Sequence, residues 1–174
     1  MDRQFLNGQF DAGNFFERLA EKNLLARTHN FVFCRVSDLT GFEEAVNNMQ
    51  EAQNFICVAD VDEGFMSMNN TPKTRSVKTV FFAMRHAEGN MSERKECMEI
   101  MREIFRQFMS VLNLTRVKLQ HKCIYLDPQI DFHEIPEYFF SGCAAAYYQI
   151  AVDVFTDIVY RNEEWSESLD SLFD

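Results

Sequence analysis

Proline and glycine are scarce in this chain of 174 residues, at three and six respectively. That shortage argues against a disordered polypeptide and against a turn-rich β-sandwich, both of which need frequent chain breakers. No uninterrupted apolar run approaches the roughly 18 residues a membrane-spanning helix needs. The opening Met-Asp-Arg-Gln leads into no signal-peptide core, so a soluble protein made in a cytoplasm is expected, with no membrane partner. Basic residues are also in deficit. Seventeen Lys and Arg against 27 Asp and Glu leave a formal charge of -10, which opposes nucleic-acid binding through phosphate contacts and counterion release. Cysteines are few, odd in number and dispersed, at Cys34, Cys57, Cys97, Cys123 and Cys143. They do not make a disulfide framework, and each lies in an apolar run, so they read as reduced, buried small hydrophobes.

What is present is apolar bulk: 47% hydrophobic residues, with 18 phenylalanines. A chain of this size buries about 70% of its unfolded surface as one domain, without a metal or disulfide to hold it. So many aromatic rings also suit subunit contacts as well as a core.

The clearest periodicity covers residues 92–112, where Cys97, Met98, Met101, Ile104, Phe105, Phe108, Met109 and Leu112 recur at three- and four-residue steps. This predicts one long amphipathic helix. Near-helical spacing over 14–27 predicts a first helix with Asn14 as its N-cap, and Thr40-Gly-Phe-Glu43 has capping-box spacing ahead of a short helix carrying Phe42, Ala45, Val46 and Met49. Strands are expected over 31–36, 55–61, 63–68, 76–86 and 117–126, with a last extended region over 138–160. In the 76–86 strand Val77, Thr79, Phe81 and Ala83 alternate with Val80, Phe82 and Met84, so both faces are apolar and the strand reads as central or interfacial. Turns are expected at 69–75 and at Asp127-Pro128. The fold class is therefore α+β, a two-layer arrangement of a mainly antiparallel β-sheet packed against one long and one or two shorter amphipathic helices. A single domain spans 1–161, with 1–13 as a mobile arm and 162–174 as an acidic C-terminal tail.

Residues with chemistry are present but poorly gathered. His121 and Cys123 could offer two zinc ligands on a strand, but no second pair accompanies them. Asp60, Asp62 and Glu63 are hard oxygen ligands without the glycine turn and terminal glutamate of a calcium loop. Glu134 could orient His133 as a base, and Ser141-Gly142-Cys143 lacks the preceding glycine of a nucleophile elbow. No catalytic residue, metal site or cofactor is expected from these. The better candidates are partner contacts. Met66, Met68, Lys73 and Arg75 lie in or beside a basic loop of an acidic chain, and Trp165, Leu169 and Phe173 fall four residues apart in the tail. A helix beginning near Asn162 places those three on one face while Glu164, Glu167 and Asp170 stay in water.

The order of elements is carried by Phe55-Ile-Cys-Val-Ala-Asp60, Met66-Ser-Met-Asn-Asn-Thr-Pro-Lys-Thr-Arg75, Thr79-Val-Phe-Phe-Ala-Met84, the long helix, and Ala151-Val-Asp-Val-Phe-Thr-Asp-Ile-Val-Tyr-Arg-Asn-Glu-Glu-Trp165. In this order residues 14–165 resemble the tail-terminator or tail-completion (head–tail joining) proteins of long-tailed bacteriophages. The resemblance is topological. It implies a structural virion subunit, made in the bacterial host cytoplasm, that forms a homo-oligomeric and commonly hexameric ring. Such a ring caps the tail tube and connects it towards the head, with tail-tube and neck proteins as partners and no enzymatic activity. An acidic ring lumen would repel DNA rather than retain it. Residues 31–53 and the acidic tail depart from the smallest members, and a neck or other tail-assembly protein fits as well. Two other classes stay open: a small-molecule-binding α+β module acting as a homodimer, and an enzyme using Cys143 or His133.

Overall fold

The computed structural model describes residues 10–49, 51–61, 63–136 and 142–166. Helices α1 (Ala12–Lys22) and α2 (Leu24–Thr28) precede β1 (Phe31–Val36), α3 (Leu39–Asn48), β2 (Asn54–Ala59), β3 (Glu63–Ser67) and β4 (Lys73–Arg85). Then come α4 (Met91–Gln120), β5 (Ile124–Ile135), β6 (Cys143–Phe155) and a 3-10 turn at Asn162–Glu164. The fold is α+β, with one six-stranded mixed sheet in the order β1-β2-β4-β6-β5 and β3 added beside β4.

β4 organises the sheet. It pairs antiparallel with β6 along its whole length, from Lys73↔Phe155 to Arg85↔Cys143. Its other edge is shared: β2 takes Val80 to Met84 and β3 takes Lys73 to Val77. β1 runs parallel to β2, joined to it through α3. The two apolar faces expected of β4 are both used. Val80, Phe82 and Met84 join Phe16 of α1, Ala26 of α2 and the Met101, Ile104, Phe105 and Phe108 stripe of α4 in one core. Phe81 and Ala83 point the other way, into a second core with Phe42 and Val46 of α3. Phe42 and Phe81 stack with centroids 4.8 Å apart. Arg85 donates to the carbonyls of Val46 and Ala52, tying the end of α3 to β4. Thus α4, α1 and α2 form the expected helical layer, and α3 covers part of the opposite face.

Several boundaries differ from the sequence expectation, each for a local reason. The first helix is capped by Asp11, whose carboxylate accepts the Asn14 N–H at 2.9 Å, so Asn14 is the capped residue rather than the cap. It breaks at Asn23, whose side chain accepts the Ala26 N–H at 2.8 Å and donates to Gln107 of α4 at 2.7 Å. Asp38, not Thr40, caps α3 by accepting the Gly41 N–H. Of the expected arm, residues 10–13 are held, because Phe10 and Ala12 are buried in the first core. Residues 117–120, expected as strand, continue α4. The turn expected at Asp127-Pro128 is a register shift inside β5, between Leu126 and Ile130. β5 is an edge strand, where the missing N–H of Pro128 breaks no ladder. The loop expected over 69–75 is shorter, since β4 already begins at Lys73.

Candidate interaction surface

The sheet has two unlike halves. Around Val80 to Met84 both faces are covered, whereas towards Lys73 the strands β3, β4, β5 and β6 run on past α3 as a ribbon. On the face continuous with Phe81, the register brings Lys73 and Arg75 of β4 beside Asp153 of β6 and Asp127 of β5. Lys73 Nζ lies 2.8 Å from Asp153 Oδ2, Arg75 reaches the same oxygen at 3.6 Å, and Arg75 also pairs with Asp127. The Gln129 N–H, and then the Arg75 guanidinium, hold the Asp127 carboxyl below the usual carboxylate range. Lys73 and Arg75 are therefore strand residues whose charges face carboxylates of the same chain, not cations on a free loop.

What the ribbon offers outward is apolar. Met66 is 74% exposed, Met68 83% and Phe65 54%, and Phe155 of β6 and Tyr125 of β5 are exposed further across the ribbon. Successive residues of β3 point to opposite faces, so Phe65 shares the Arg75 face while Met66 lies on the other. On that second face Thr74 and Thr156 share a hydroxyl hydrogen bond of 2.7 Å. Gly64 is required by close approach, because a Cβ there would sit 1.9 Å from the Arg75 carbonyl oxygen. Phe65 is an exposed ribbon residue that the sequence expectation does not include. Its signal is a pair of adjacent large apolar residues, Phe65 and Met66, in a short strand flanked by Glu63, Gly64 and Ser67, which puts one of them on each face.

Trp165 is 53% exposed and stacks on Tyr160 with centroids 6.3 Å apart. Arg161 beside it pairs with Asp157 and reaches Glu164 at 3.8 Å. The expected tail helix is represented among the described residues by a 3-10 turn only, and Leu169 and Phe173 lie outside them. Thr156 N–H donates to the Pro72 carbonyl, which ties the end of β6 to the start of β4 where Lys73 and Arg75 lie.

The groups weighed for chemistry are apart. His121 and Cys123 sit at the junction of α4 and β5, not on a strand, and Cys123 is exposed rather than buried, with a left-handed φ of 57°. Asp60 lies 3.6 Å from Arg35, and Asp62 is outside the described residues. His133 and Glu134 point to opposite faces: His133 stacks on Tyr147, while Glu134 pairs with Arg102. Cys143 is buried, which pushes its thiol up. It lies four strand positions from Tyr147, the partner of His133, a spacing of about 13 Å that prevents a dyad. Cys34 and Cys57 face each other across β1 and β2, and the hydrogen bond between them lowers the Cys34 thiol and raises that of Cys57. Among the described residues no three His, Cys, Asp or Glu gather to hold a metal, and no helix is long and apolar enough to cross a membrane.

A pocket between α4 and the β5 register shift, lined by Leu112, Arg116, Leu126, Pro128 and Ile150, measures about 150 Å³. Two wider, open clefts lie elsewhere: one of about 680 Å³ beside Val32 and Met49, and one of about 420 Å³ over Arg75, Asp127 and Gln149 on the ribbon. In comparisons with known proteins, no family model and no curated protein matches this chain.

Proposed function

We propose that this protein is a structural subunit of a tailed-phage virion, a tail-terminator, tail-completion or neck component. In this reading copies assemble into a ring that caps the tail tube and connects it towards the head. The observation that carries the reading is the ribbon: it extends past the doubly covered core, exposes Phe65, Met66 and Met68, and neutralises its own cations against Asp127 and Asp153. Apolar side chains on an outlying strand are costly in water unless a partner covers them, and an edge strand can also accept a partner strand.

Native mass measurement tests the assembly. The unaltered chain is expected to form a closed oligomer at micromolar concentration, and Phe65→Glu with Met66→Glu is expected to shift it to monomer with its melting temperature kept within a few degrees. A monomer at every concentration, or an oligomer indifferent to the double substitution, overturns the proposed ribbon-mediated assembly.

A further inference from the structure

The second half of α4 carries a surface that the core does not use. Leu114, Val117, Lys118 and His121 stand at i, i+3, i+4 and i+7, on the side opposite the buried Met101, Ile104, Phe105 and Phe108. Leu114 is 71% exposed and Val117 56%. This stretch is also basic within an acidic protein: between Glu103 and Asp127 the sequence has Arg106, Arg116, Lys118 and Lys122 and no Asp or Glu.

The tail has the complementary composition. Residues 162–174 hold Glu163, Glu164, Glu167, Asp170 and Asp174 with Trp165, Leu169, Leu172 and Phe173, and no Lys or Arg. The strand that leads towards it ends beside the end of α4, because Phe155 N–H donates to the Cys123 carbonyl at 3.4 Å. From Cys123 back to Leu114 is about 13 Å of helix, and thirteen residues span about 20 Å even when helical. The tail is therefore long enough to cover this stretch of helix. Its described root is not laid against its own globule, since Ile158, Val159 and Trp165 are each more than half exposed.

We propose that residues 162–174 of one copy dock on the outer face of α4 in a second copy. Leu114 and Val117 receive the aromatic and leucine side chains, and Lys118 and Lys122 face the tail carboxylates. This interaction rests on the assembly reading above and names the contact that links one subunit to the next. Apolar anchors supply the attraction, and the opposed charges set register and partner choice.

Trp165 is the chain's single tryptophan, so its emission reports the tail alone. In the full chain, emission is expected to be blue-shifted at high concentration and to move to the red on dilution. Leu114→Glu with Val117→Glu is expected to hold it red at every concentration while circular dichroism stays unchanged. Lys118→Glu with Lys122→Glu is expected to weaken the transition at least tenfold. Mixing that variant with Glu167→Lys, Asp170→Lys protein is expected to restore the transition. A blue emission independent of concentration, or one that survives Leu114→Glu with Val117→Glu, overturns the docking. If native mass still reports a closed oligomer while Trp165 stays red, the docking fails and the ring reading stands. A chain monomeric throughout defeats both.

Discussion

At the scale of single residues, the core and the α4 terminus make opposite demands on side chains. Phe82 is fully buried and meets Phe105, Phe108 and Tyr148 at centroid distances of 6.0, 6.1 and 5.6 Å, so it is the meeting point of sheet and long helix. Tyr148 in turn stacks on Phe105, and burial pushes its phenol up to about 12. Removing a ring of this kind leaves a cavity that rigid neighbours cannot close. Phe82→Ala is therefore expected to cost about 3–5 kcal/mol in denaturant unfolding. Cys123 is the reverse case. It is exposed and held at φ 57°, where a Cβ is crowded against its own backbone. Cys123→Gly relieves that strain and is expected to stabilise the fold by about 1 kcal/mol, read as a higher melting temperature. Neither demand has the same visibility in the sequence. Phe82 is marked by the alternation of β4, whereas nothing in His121-Lys-Cys123 announces a left-handed residue.

At the scale of elements, what could be read from the sequence was whatever its own neighbours determine. The α4 stripe and the alternation of Tyr148, Ile150 and Val152 in β6 are local patterns, and the elements follow them. The break at Asn23 was hidden because the same side chain also reaches Gln107, 84 residues away. The continuation of α4 through residues 117–120 was hidden because Val117 faces outward, beyond the last fully buried position at Leu112. The strand position and pairing of Lys73 and Arg75 are hidden for the same cause, since their partners Asp153 and Asp127 lie 80 and 52 residues further on. That network gives the ribbon a pH dependence. The Asp127 carboxyl is held low by the Gln129 N–H and by Arg75, so its contribution is present above the ordinary unfolded value, about pH 3.9. It is lost as pH falls through the lowered folded value. The protection of amides in β3 and the start of β4, taken relative to their intrinsic exchange rates, is expected to fall below about pH 4. Asp127→Asn, which keeps an acceptor for the Gln129 N–H but loses the charge, is expected to lower it already at neutral pH and to flatten the acid dependence.

At the scale of the whole molecule, charge and shape pull in different directions. Each chain carries a formal charge of -10, so bringing copies together is opposed by repulsion that acts over the full surface. The ribbon contacts that favour assembly are apolar, and its cations already face carboxylates within the chain. Salt screens the first effect and leaves the second nearly untouched, because the Debye length falls from about 10 Å at 0.1 M to about 3 Å at 1 M. The proposed oligomer is therefore expected to strengthen as sodium chloride rises from low to moderate concentration, the opposite of an assembly held mainly by ion pairs between subunits. The basic stretch of α4 sharpens the test. In Lys118→Glu with Lys122→Glu the net charge is more negative and the local attraction for the acidic tail is gone, so assembly at low salt is expected to fall below that of the unaltered chain. The difference is expected to narrow as salt rises, because screening removes the added repulsion, and sedimentation velocity across a salt series reads both slopes. An oligomer that dissociates steadily with salt would place its strength in exposed charge pairs and would remove the ribbon from the centre of the assembly.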